Sequence, residues 1–248
     1  RRLDALAADR AGFRRRMLDV DKKHGRATGA LLMRTYRAIH NWHRKVLTDL
    51  PESPTVACET PRVRSRDWAL SDDELRRWWA RVRELSPVKR AWYLTALMTG
   101  ARAGSVAALK WSDIDLDRRL IRFRVVKGDR PYVIPLPDRL AAILRHYRER
   151  EWMPNSDGWV FPSPVNHGEP LHGRVKTPGV APPHALRHTM RTRLAEAGAT
   201  PDLARIALGH SIGQTVSERY ITASLLTEAV RPLLNAVAEK YAAIFAWE

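Results

Sequence analysis

Five short segments, far apart in the sequence, carry side chains that can move protons or bind negatively charged oxygen atoms. They read T-G-A-R, V-V-K-G-D-R, H-A-L-R-H, L-G-H-S and S-E-R-Y. The side chains of interest are Arg102, Lys127, His184, Arg187, His210 and Tyr220. Guanidinium groups can form bidentate, permanently charged contacts with phosphoryl oxygens, histidine and lysine can transfer protons, and a tyrosine hydroxyl can act as a nucleophile. These residue types together suit chemistry at a phosphate group.

Each of these residues also has an ordinary structural interpretation. An Arg after a helix-ending Gly is most often a surface residue, and a Lys in a hairpin turn is usually solvated. A His is more often a helix cap or part of a core, and a Tyr at a helix end usually packs. No segment is decisive alone, so the functional interpretation depends on their combination and order.

The strongest global feature is charge, because the chain has 43 Lys and Arg against 27 Asp and Glu, a net of +16. A protein this basic is expected to bind a polyanion, since each neutralised phosphate of a nucleic acid releases condensed counterions. RNA binding or a merely basic surface would give the same composition. Residues 1–50 hold 13 Lys and Arg and 5 Asp, so half of the excess charge lies in a fifth of the chain.

The sequence predicts two domains. Residues 1–50 are predicted to be helical, because apolar side chains recur near the helical period. These side chains are Leu31, Leu32, Tyr36, Ile39 and Trp42, with Arg34, Arg37, Arg44 and Lys45 on other faces. The Pro-rich segment from Pro51 to Asp67 is typical of an extended linker. We therefore expect a small basic helical domain in residues 1–55, a linker in 56–67 and a second domain in 68–248.

The second domain is predicted to be mainly α-helical with a small antiparallel sheet. Its first helix begins at a capping box, S-D-D-E from Ser71, and residues 88–99 form an apolar helix that Gly100 ends. Residues 120–126 and 132–136 alternate in polarity on either side of Lys127-Gly128-Asp129-Arg130, which predicts a β-hairpin. W-S-D-I-D before it is interpreted as a turn. Two further helices are expected, from about His184 to Ala197 and from Thr200 to Gly209.

The same segments resemble the motifs of the tyrosine recombinases, the phage-integrase-like enzymes. T-G-A-R-A-G-S-V-A-A-L-K-W-S-D-I-D is similar to the first-arginine motif, and K-G-D-R-P-Y-V-I-P-L-P to the hairpin with the catalytic lysine. H-A-L-R-H-T resembles the H-x-x-R box, L-G-H-S the downstream histidine, and S-E-R-Y the nucleophile segment, with Tyr220 ten residues after His210. The resemblance covers roughly residues 65–225. The stretch from Tyr36 to Trp42 followed by L-P-E-S-P is similar to the end of the family's helical core-binding domain.

The resemblance implies a site-specific DNA recombinase that cleaves and rejoins strands through a 3′-phosphotyrosine at Tyr220, without metal or ATP. It assigns Arg102 and Arg187 to the phosphoryl oxygens and Lys127 to protonation of the departing 5′ oxygen. His184 is expected to accept the proton of Tyr220 and His210 to donate to a phosphoryl oxygen, although the division between the two histidines stays open. The DNA-binding residues are expected to include Arg34, Arg37, Arg44, Lys45 and Arg130.

The chain departs from the family's pattern at Ser105, where an acidic residue often stands three positions after the first arginine. This departure bears on how Arg102 is oriented. No cofactor is expected, because the motifs supply cationic groups rather than a carboxylate cluster and no phosphate-binding G-x-x-x-x-G-K-[ST] occurs. The single cysteine, Cys58, excludes an internal disulfide and is interpreted as an inert thiol.

The expected partners are double-stranded DNA sites, three further copies of the chain in a tetramer, and accessory DNA-bending proteins. A phage integrase, a chromosome-dimer resolvase and an integron or transposon recombinase remain alternatives, as does a DNA-binding protein of the same fold that does not cleave. No membrane segment is recognised, and a cytoplasmic, nucleoid-associated protein of bacterial or phage origin is expected. The tail from Thr222 to Glu248 carries a helical apolar stripe that fits either a neighbouring protomer or its own core.

Overall fold

The computed structural model describes residues 7–47, 49–59, 68–125, 131–166, 168–171, 177–210 and 223–247, with side chains from residue 228 onward in the last range. The chain divides into two compact units, Arg1–Asp67 and Trp68–Glu248. The division falls where the second domain was predicted to begin. None of the helices in the described ranges is long and apolar enough to cross a membrane.

The first unit contains two helices, α1 (Arg10–His24) and α2 (Arg26–His43). Asp9 caps α1 by accepting a hydrogen bond from the Gly12 backbone NH at 2.8 Å. The chain turns between the helices at Gly25, whose φ of +84° favours glycine. A small core of Phe13, Met17 and Met33 joins the two helices, with Tyr36 packed against it. The helical prediction for this region is therefore confirmed.

Most of the apolar side chains that the sequence pattern selected on α2 do not form its buried side. The buried side of α2 consists mainly of Gly29, Ala30, Met33 and His40, none of which was among the apolar residues selected from the sequence. By contrast, Leu31, Leu32, Ile39 and Trp42 are exposed within the described residues, Trp42 by 64%. Small residues lie on the buried side because α1 and α2 approach closely.

The predicted linker also differs from the structure at its beginning. Pro54–Ala57 forms a 3-10 helix rather than an extended segment. Ser53 and Thr55 are buried, and their hydroxyl groups are 2.9 Å apart. The imidazole of the fully buried His40 lies 2.9 Å from the Pro51 carbonyl. Proline fixes φ and pre-forms a tight turn, so a Pro-rich stretch can pack as well as extend.

The second unit is mainly helical around a three-stranded antiparallel sheet, as the sequence predicted. Its helices are α3 (Asp72–Val82), α4 (Pro87–Thr99), α5 (Ala103–Ala107), α6 (Asp138–Arg150), α7 (Pro183–Glu196), α8 (Pro201–Ala207) and α9 (Ala223–Phe245). The capping box of α3 is present, since Ser71 Oγ accepts from the Glu74 NH at 3.3 Å and Glu74 accepts from the Ser71 NH at 2.8 Å. Sequence analysis did not identify α6.

The sheet has one more strand than the predicted hairpin. Its strands are β1 (Ile114–Asp115), β2 (Leu120–Phe123) and β3 (Tyr132–Pro135), paired in that order. Ile121 pairs with Ile134 and Phe123 with Tyr132, which places Ile121, Phe123 and Ile134 in the core. W-S-D-I-D was interpreted as a turn, but only Trp111–Asp113 turn, as a 3-10 helix, and the next two residues form β1.

The tail helix α9 packs on the core of its own unit. Val230, Leu234, Val237 and Tyr241 are each at most 1% exposed in that core. The stripe therefore fits the second of the two alternatives left open by the sequence, at least from residue 230 onward. The side chains of Leu225 and Leu226 lie outside the described residues.

Candidate active site

Arg187 is the centre of the candidate site. It lies on α7 and is only 9% exposed. Its Nη1 donates to the Gly100 carbonyl at 2.6 Å and its Nη2 donates to the Leu208 carbonyl at 2.9 Å. Nη2 also lies 2.6 Å from Nε2 of His210. These contacts join the ends of α4 and α8 to α7 and fix the orientation of the guanidinium group.

The turn at Gly100 positions both predicted arginines. Gly100 ends α4 in the left-handed conformation, with φ of +60°. A Cβ there would lie 2.5 Å from Leu208 Cδ2 and 2.9 Å from Met190 Cγ, so a larger residue would push the packed elements apart. Its carbonyl accepts from Arg187, and two residues later Arg102 stands at the N-cap of α5, half-buried.

The turn after α8 positions His210. The Gly209 NH donates to the Ile206 carbonyl and the His210 NH to the Arg205 carbonyl, each at 2.9 Å. This is the hydrogen-bond pattern of a Schellman motif, which requires a left-handed residue, and Gly209 has φ of +62°. Because arginine can only donate, His210 Nε2 must accept from Arg187, and the proton of the neutral imidazole is then on Nδ1.

The electrostatics of the cluster are strongly cationic. Burial lowers the pKa of Arg187, and the charge of Arg102 lowers it further. Burial also lowers the pKa of His210 from its usual 6.5, and the charges of Arg187, Arg102, Arg191 and Arg205 act in the same direction. The structure thus brings Arg102, Arg187 and His210 together, as the motifs predicted. Their catalytic roles stay predictions.

Within the described part of the chain, no carboxylate forms an ion pair with Arg187. Its protein acceptors are two carbonyl oxygens and an imidazole nitrogen. Three of the five N–H groups of a guanidinium are used in this way, which leaves two donors for an external acceptor. Since burying a charge without a counter-charge is costly, this arrangement favours an anion that comes from outside.

His184 lies one turn before Arg187 on α7 and is exposed. Its Nε2 is 3.0 Å from Nε2 of His188, one helical turn later, and the two rings meet edge to face with centroids 4.5 Å apart. At this distance, one Nε2 donates a hydrogen bond and the other accepts it. The ring of Trp68 meets His184 from another direction, with centroids 6.2 Å apart.

Sequence analysis missed Tyr132 and Arg191, which also belong to this region. The charges of Arg187 and Arg102 act on the phenol of Tyr132, and the exposed Arg191 acts on both Arg187 and His210. Arg191 could have been found from its position, because it follows Arg187 by four residues on one helix. No local signal marks Tyr132, since its neighbours come from distant parts of the sequence.

Three of the predicted site residues, Lys127, Arg130 and Tyr220, lie outside the described residues. Their assignment stays a prediction. Ser105, which stands at the position of the family's acidic residue, is buried on α5. Among the residues that the structure describes, no group of three or more His, Cys, Asp or Glu side chains could hold a metal ion.

The predicted DNA-binding residues of the first unit are exposed along α2 and the turn after it. Arg34 and Arg37 are three positions apart and therefore neighbour each other on the surface of α2. Arg34 Nε donates to the Ala30 carbonyl at 3.2 Å, and Arg37 Nε donates to Thr55 Oγ1 at 3.3 Å. Arg44 and Lys45 follow the last residue of the helix. A basic face of this kind is suited to phosphate contacts, although its role is still a prediction.

The comparisons with known proteins all identify the same family. The family model described as "Phage integrase family" matches residues 69–225. The chain is 30% identical over 154 residues to the prophage integrase IntF of Escherichia coli, covering 58% of this chain and 32% of that protein. It is 31% identical over 153 residues to the tyrosine recombinase XerC of Pediococcus pentosaceus, covering 54% and 50%. The matched segment is thus half or less of each of these two relatives.

Solved structures show the same fold. The Tn1549 transposon integrase in complex with circular intermediate DNA superposes with a TM-score of 0.62 at 18% identity, covering 92% of this chain and 85% of that one. A lambda integrase dimer bound to a COC′ core site gives 0.60 at 20% identity, covering 90% and 66%. At these identities the likeness establishes the fold.

Proposed function

Because the chain belongs to the phage integrase family, we propose that it is a site-specific DNA recombinase. It cleaves one DNA strand by attack of the Tyr220 hydroxyl on the scissile phosphorus. The new bond joins the tyrosine oxygen to the 3′ phosphate, and the bond to the 5′ oxygen breaks. The phosphotyrosine conserves the bond energy, so that another strand's 5′ hydroxyl can displace the tyrosine without ATP or a metal ion.

The observation that carries this proposal is the buried, immobilised guanidinium of Arg187 beside Arg102 and His210. The described residues give Arg187 no carboxylate partner, while three contacts fix its orientation. A group held in this way is preorganised for the charge that develops on phosphoryl oxygens, and removal of such a stabiliser typically costs about 10²- to 10³-fold in rate. The half-buried Arg102 adds a second guanidinium at the same place.

Protons must move at both ends of the reaction. A free tyrosine has a pKa near 10, so only about 0.1% is ionised at pH 7, and the nearby cations favour the ionised form at the moment of attack. His184 accepts the proton of Tyr220 in this proposal. Lys127 donates a proton to the departing 5′ oxygen. Both assignments rest on the family resemblance.

The tautomer of His210 supports its role as a donor. With Nε2 occupied by the Arg187 contact, the neutral ring can donate only from Nδ1. The lowered pKa of His210 favours this neutral form at physiological pH. His210 can therefore stabilise a phosphoryl oxygen by a hydrogen bond without first releasing a proton, and it leaves the proton transfers to His184 and Lys127.

DNA binding is assigned to the basic first unit and to the hairpin. Arg34, Arg37, Arg44, Lys45 and Arg130 bind phosphate groups and set the register of the protein on the duplex. The active assembly is a tetramer on two duplexes, with accessory DNA-bending proteins as further partners. A lambda integrase tetramer bound to a Holliday junction has a similar fold, with a TM-score of 0.60, which supports this assembly.

The test is covalent trapping on nicked suicide DNA, tiled across the sequence that flanks the gene. The wild-type chain is compared with Tyr220→Phe, and salt-dependent binding is measured in parallel. A protein–DNA band that survives denaturant and disappears in the variant establishes both the nucleophile and the reaction class. Binding without an adduct on any tiled site would favour the alternative, a DNA-binding protein of this fold that does not cleave.

A further inference from the structure

Tyr132 is the first residue of β3, and Lys127 precedes it by five positions in the sequence. Its ring stacks on that of its cross-strand partner Phe123, with centroids 5.0 Å apart and planes inclined by 29°. Phe123 is completely buried. One face of the phenol ring is therefore fixed on the hydrophobic core.

The far end of the same ring lies against Gly209. A Cβ at position 209 would be 2.2 Å from Cζ of Tyr132 and 2.3 and 2.5 Å from its Cε atoms. These distances are well below van der Waals contact, so the phenol occupies the space that any other residue at 209 would need. The glycine is thus required both by its φ of +62° and by the tyrosine ring.

The turn on which the ring lies holds the candidate site together. Leu208 supplies a carbonyl to Arg187, and His210 supplies the imidazole nitrogen that Arg187 contacts. Tyr132 consequently connects β3 to the residues that orient Arg187.

The phenol of Tyr132 is kept neutral beside these cations. Burial raises its pKa to about 12, although the charges of Arg187 and Arg102 lower it. A phenolate here would form an ion pair with the arginines and compete with a phosphate for them. A neutral ring supports the site sterically without cancelling its charge.

We propose that Tyr132 is a positioning residue for strand cleavage, because its ring sets the Gly209–His210 turn, and through it Arg187, relative to strands β2 and β3. This inference rests on the proposed recombinase function. The ring, rather than the hydroxyl group, supplies the contacts with Phe123 and Gly209. Loss of the ring allows the turn to shift, and a displacement of about 1 Å in a preorganised site can reduce a rate by about 10²-fold.

The first experiment compares Tyr132→Leu and Tyr132→Phe in the full chain, with single-turnover cleavage, DNA affinity and thermal unfolding measured for each. Tyr132→Leu is expected to slow cleavage by about 30- to 100-fold and to change the DNA dissociation constant by less than about threefold. Tyr132→Phe keeps the ring and is expected to recover most of the rate. The matched control is Tyr147→Leu, a buried tyrosine of the core that bonds the Val160 carbonyl. It should lower the melting temperature without slowing cleavage by the folded protein.

The second experiment is a double-mutant cycle with Gly209→Ala. In the wild-type background, the new methyl group collides with the Tyr132 ring and cleavage should fall by more than about 100-fold. Leucine lacks the Cε and Cζ atoms, so in the Tyr132→Leu background the same substitution should cost at least about tenfold less. The strain of a left-handed alanine is present in both backgrounds and cancels.

The outcomes separate this inference from the proposed function. If the wild type forms no adduct, the recombinase function fails. If the wild type forms an adduct, equal cleavage by Tyr132→Leu, or additive effects in the cycle, overturns the positioning role alone. Loss of rate in Tyr132→Phe as large as in Tyr132→Leu would also overturn it, because the hydroxyl would then be the active group. If Tyr132→Leu is recovered unfolded, Tyr132→Met takes its place with the same expected loss.

Discussion

Two buried arginines on the same helix show opposite ways of holding a charge. Arg187 and Arg193 lie six residues apart on α7 and are 9% and 6% exposed. Arg193 forms ion pairs with Asp72 and, at 2.8 Å, with Glu196. Arg187 instead faces two carbonyls, His210 and the charge of Arg102. The comparison teaches that burial of an arginine does not distinguish a structural role from a functional one, whereas the source of its counter-charge does.

The pKa values of the two arginines are shifted in opposite directions. Burial acts to lower the pKa of Arg193, but the hydrogen bond and charge of Glu196 and the charge of Asp72 raise it overall. For Arg187, burial and Arg102 both lower it. Arg193 also reaches the segment before α3, since its Nη2 donates to the Leu70 carbonyl at 3.4 Å. Lys240 of α9 joins the network through Glu196 at 2.6 Å. Arg193 is therefore a connector of three helices.

The largest expected effect is on catalysis, from Arg187→Gln. The substitution removes the guanidinium that faces the phosphoryl oxygens, so single-turnover cleavage should fall by about 10²- to 10³-fold. Stability should change little, because lost hydrogen bonds and the removal of an uncompensated buried charge oppose one another. Cleavage is measured by adduct formation and stability by thermal unfolding.

Inorganic phosphate provides the control for this prediction. At a phosphate concentration tenfold above the dissociation constant, the wild type should gain about 1.4 kcal/mol of stability, and Arg187→Gln should gain much less. An equal stabilisation of both proteins would show that the guanidinium is not an anion site, and the contrast with Arg193 would lose its basis.

Arg193→Gln should have the opposite profile. It leaves Asp72 and Glu196 without their common partner, and we expect a loss of about 2–3 kcal/mol, less than for a fully buried pair because both carboxylates are half-exposed. For a unit of this size that corresponds to a decrease of roughly 4–12 °C in Tm. Cleavage by the folded fraction should be retained.

The control is Arg76→Gln, which removes an exposed ion pair with Asp73. Its expected cost is less than about 0.5 kcal/mol. If Arg193→Gln melts like Arg76→Gln, or if it stops cleavage while remaining folded, then Arg193 is not a purely structural residue.

The sequence was sufficient where the signal is local. The capping box at Ser71, the left-handed end of α4 at Gly100 and the cap at Thr200 each depend on a few adjacent residues, and all three are confirmed. The motif residues Arg102, Arg187 and His210 were also found, because their segments resemble the family's motifs, and Arg102 and His210 closely follow glycines that end helices. The structure places the three side chains close together, and their roles stay predictions.

The sequence was insufficient where distant residues decide. The structural role of Arg193 cannot be predicted from H-A-L-R-H-T-M-R-T-R, since one of its two ion-pair partners is Asp72, 121 positions away. Tyr132 likewise meets Gly209, a residue far away in the sequence. β1 has only two residues, too few to show a period. The buried side of α2 was missed because, apart from Met33, it is made of small and polar residues, which a hydrophobic pattern does not select.

The pH dependence of stability should reveal the effect of the cationic cluster around Arg187 on His210. His210 has a folded-state pKa below its usual 6.5, first through burial and then through the arginines. The unfolded chain therefore binds this proton at a higher pH than the folded chain does, and stability should decline as the pH falls below about 6.5. The slope from one such group is at most about 1.4 kcal/mol per pH unit.

Removal of the imidazole isolates this contribution. His210→Asn should flatten the stability curve below about pH 6.5, and the decline that carboxylates cause below about pH 4.5 should remain. Glu196 also has a lowered pKa, mainly through its hydrogen bonds with Lys240 and Arg193, but it affects stability only below about pH 4.5. Parallel curves for the wild type and His210→Asn between pH 5 and 6.5 would contradict the prediction.

The smallest expected effect concerns His188, which contacts the exposed His184. The contact between their Nε2 atoms orients the ring of His184, and a typical hydrogen bond contributes about 1 kcal/mol net. His188→Phe should therefore slow cleavage by about fivefold, with DNA affinity preserved, and His188→Gln should recover part of the rate because its amide can replace the contact.

Measuring single-turnover cleavage and DNA affinity together distinguishes a role of His188 in orienting His184 from a role in DNA binding. Slower cleavage with unchanged affinity would show that His188 orients His184, the proposed proton acceptor. Weaker binding with an unchanged rate would instead place His188 on the DNA-binding surface, and His184 would then be oriented by its contact with Trp68.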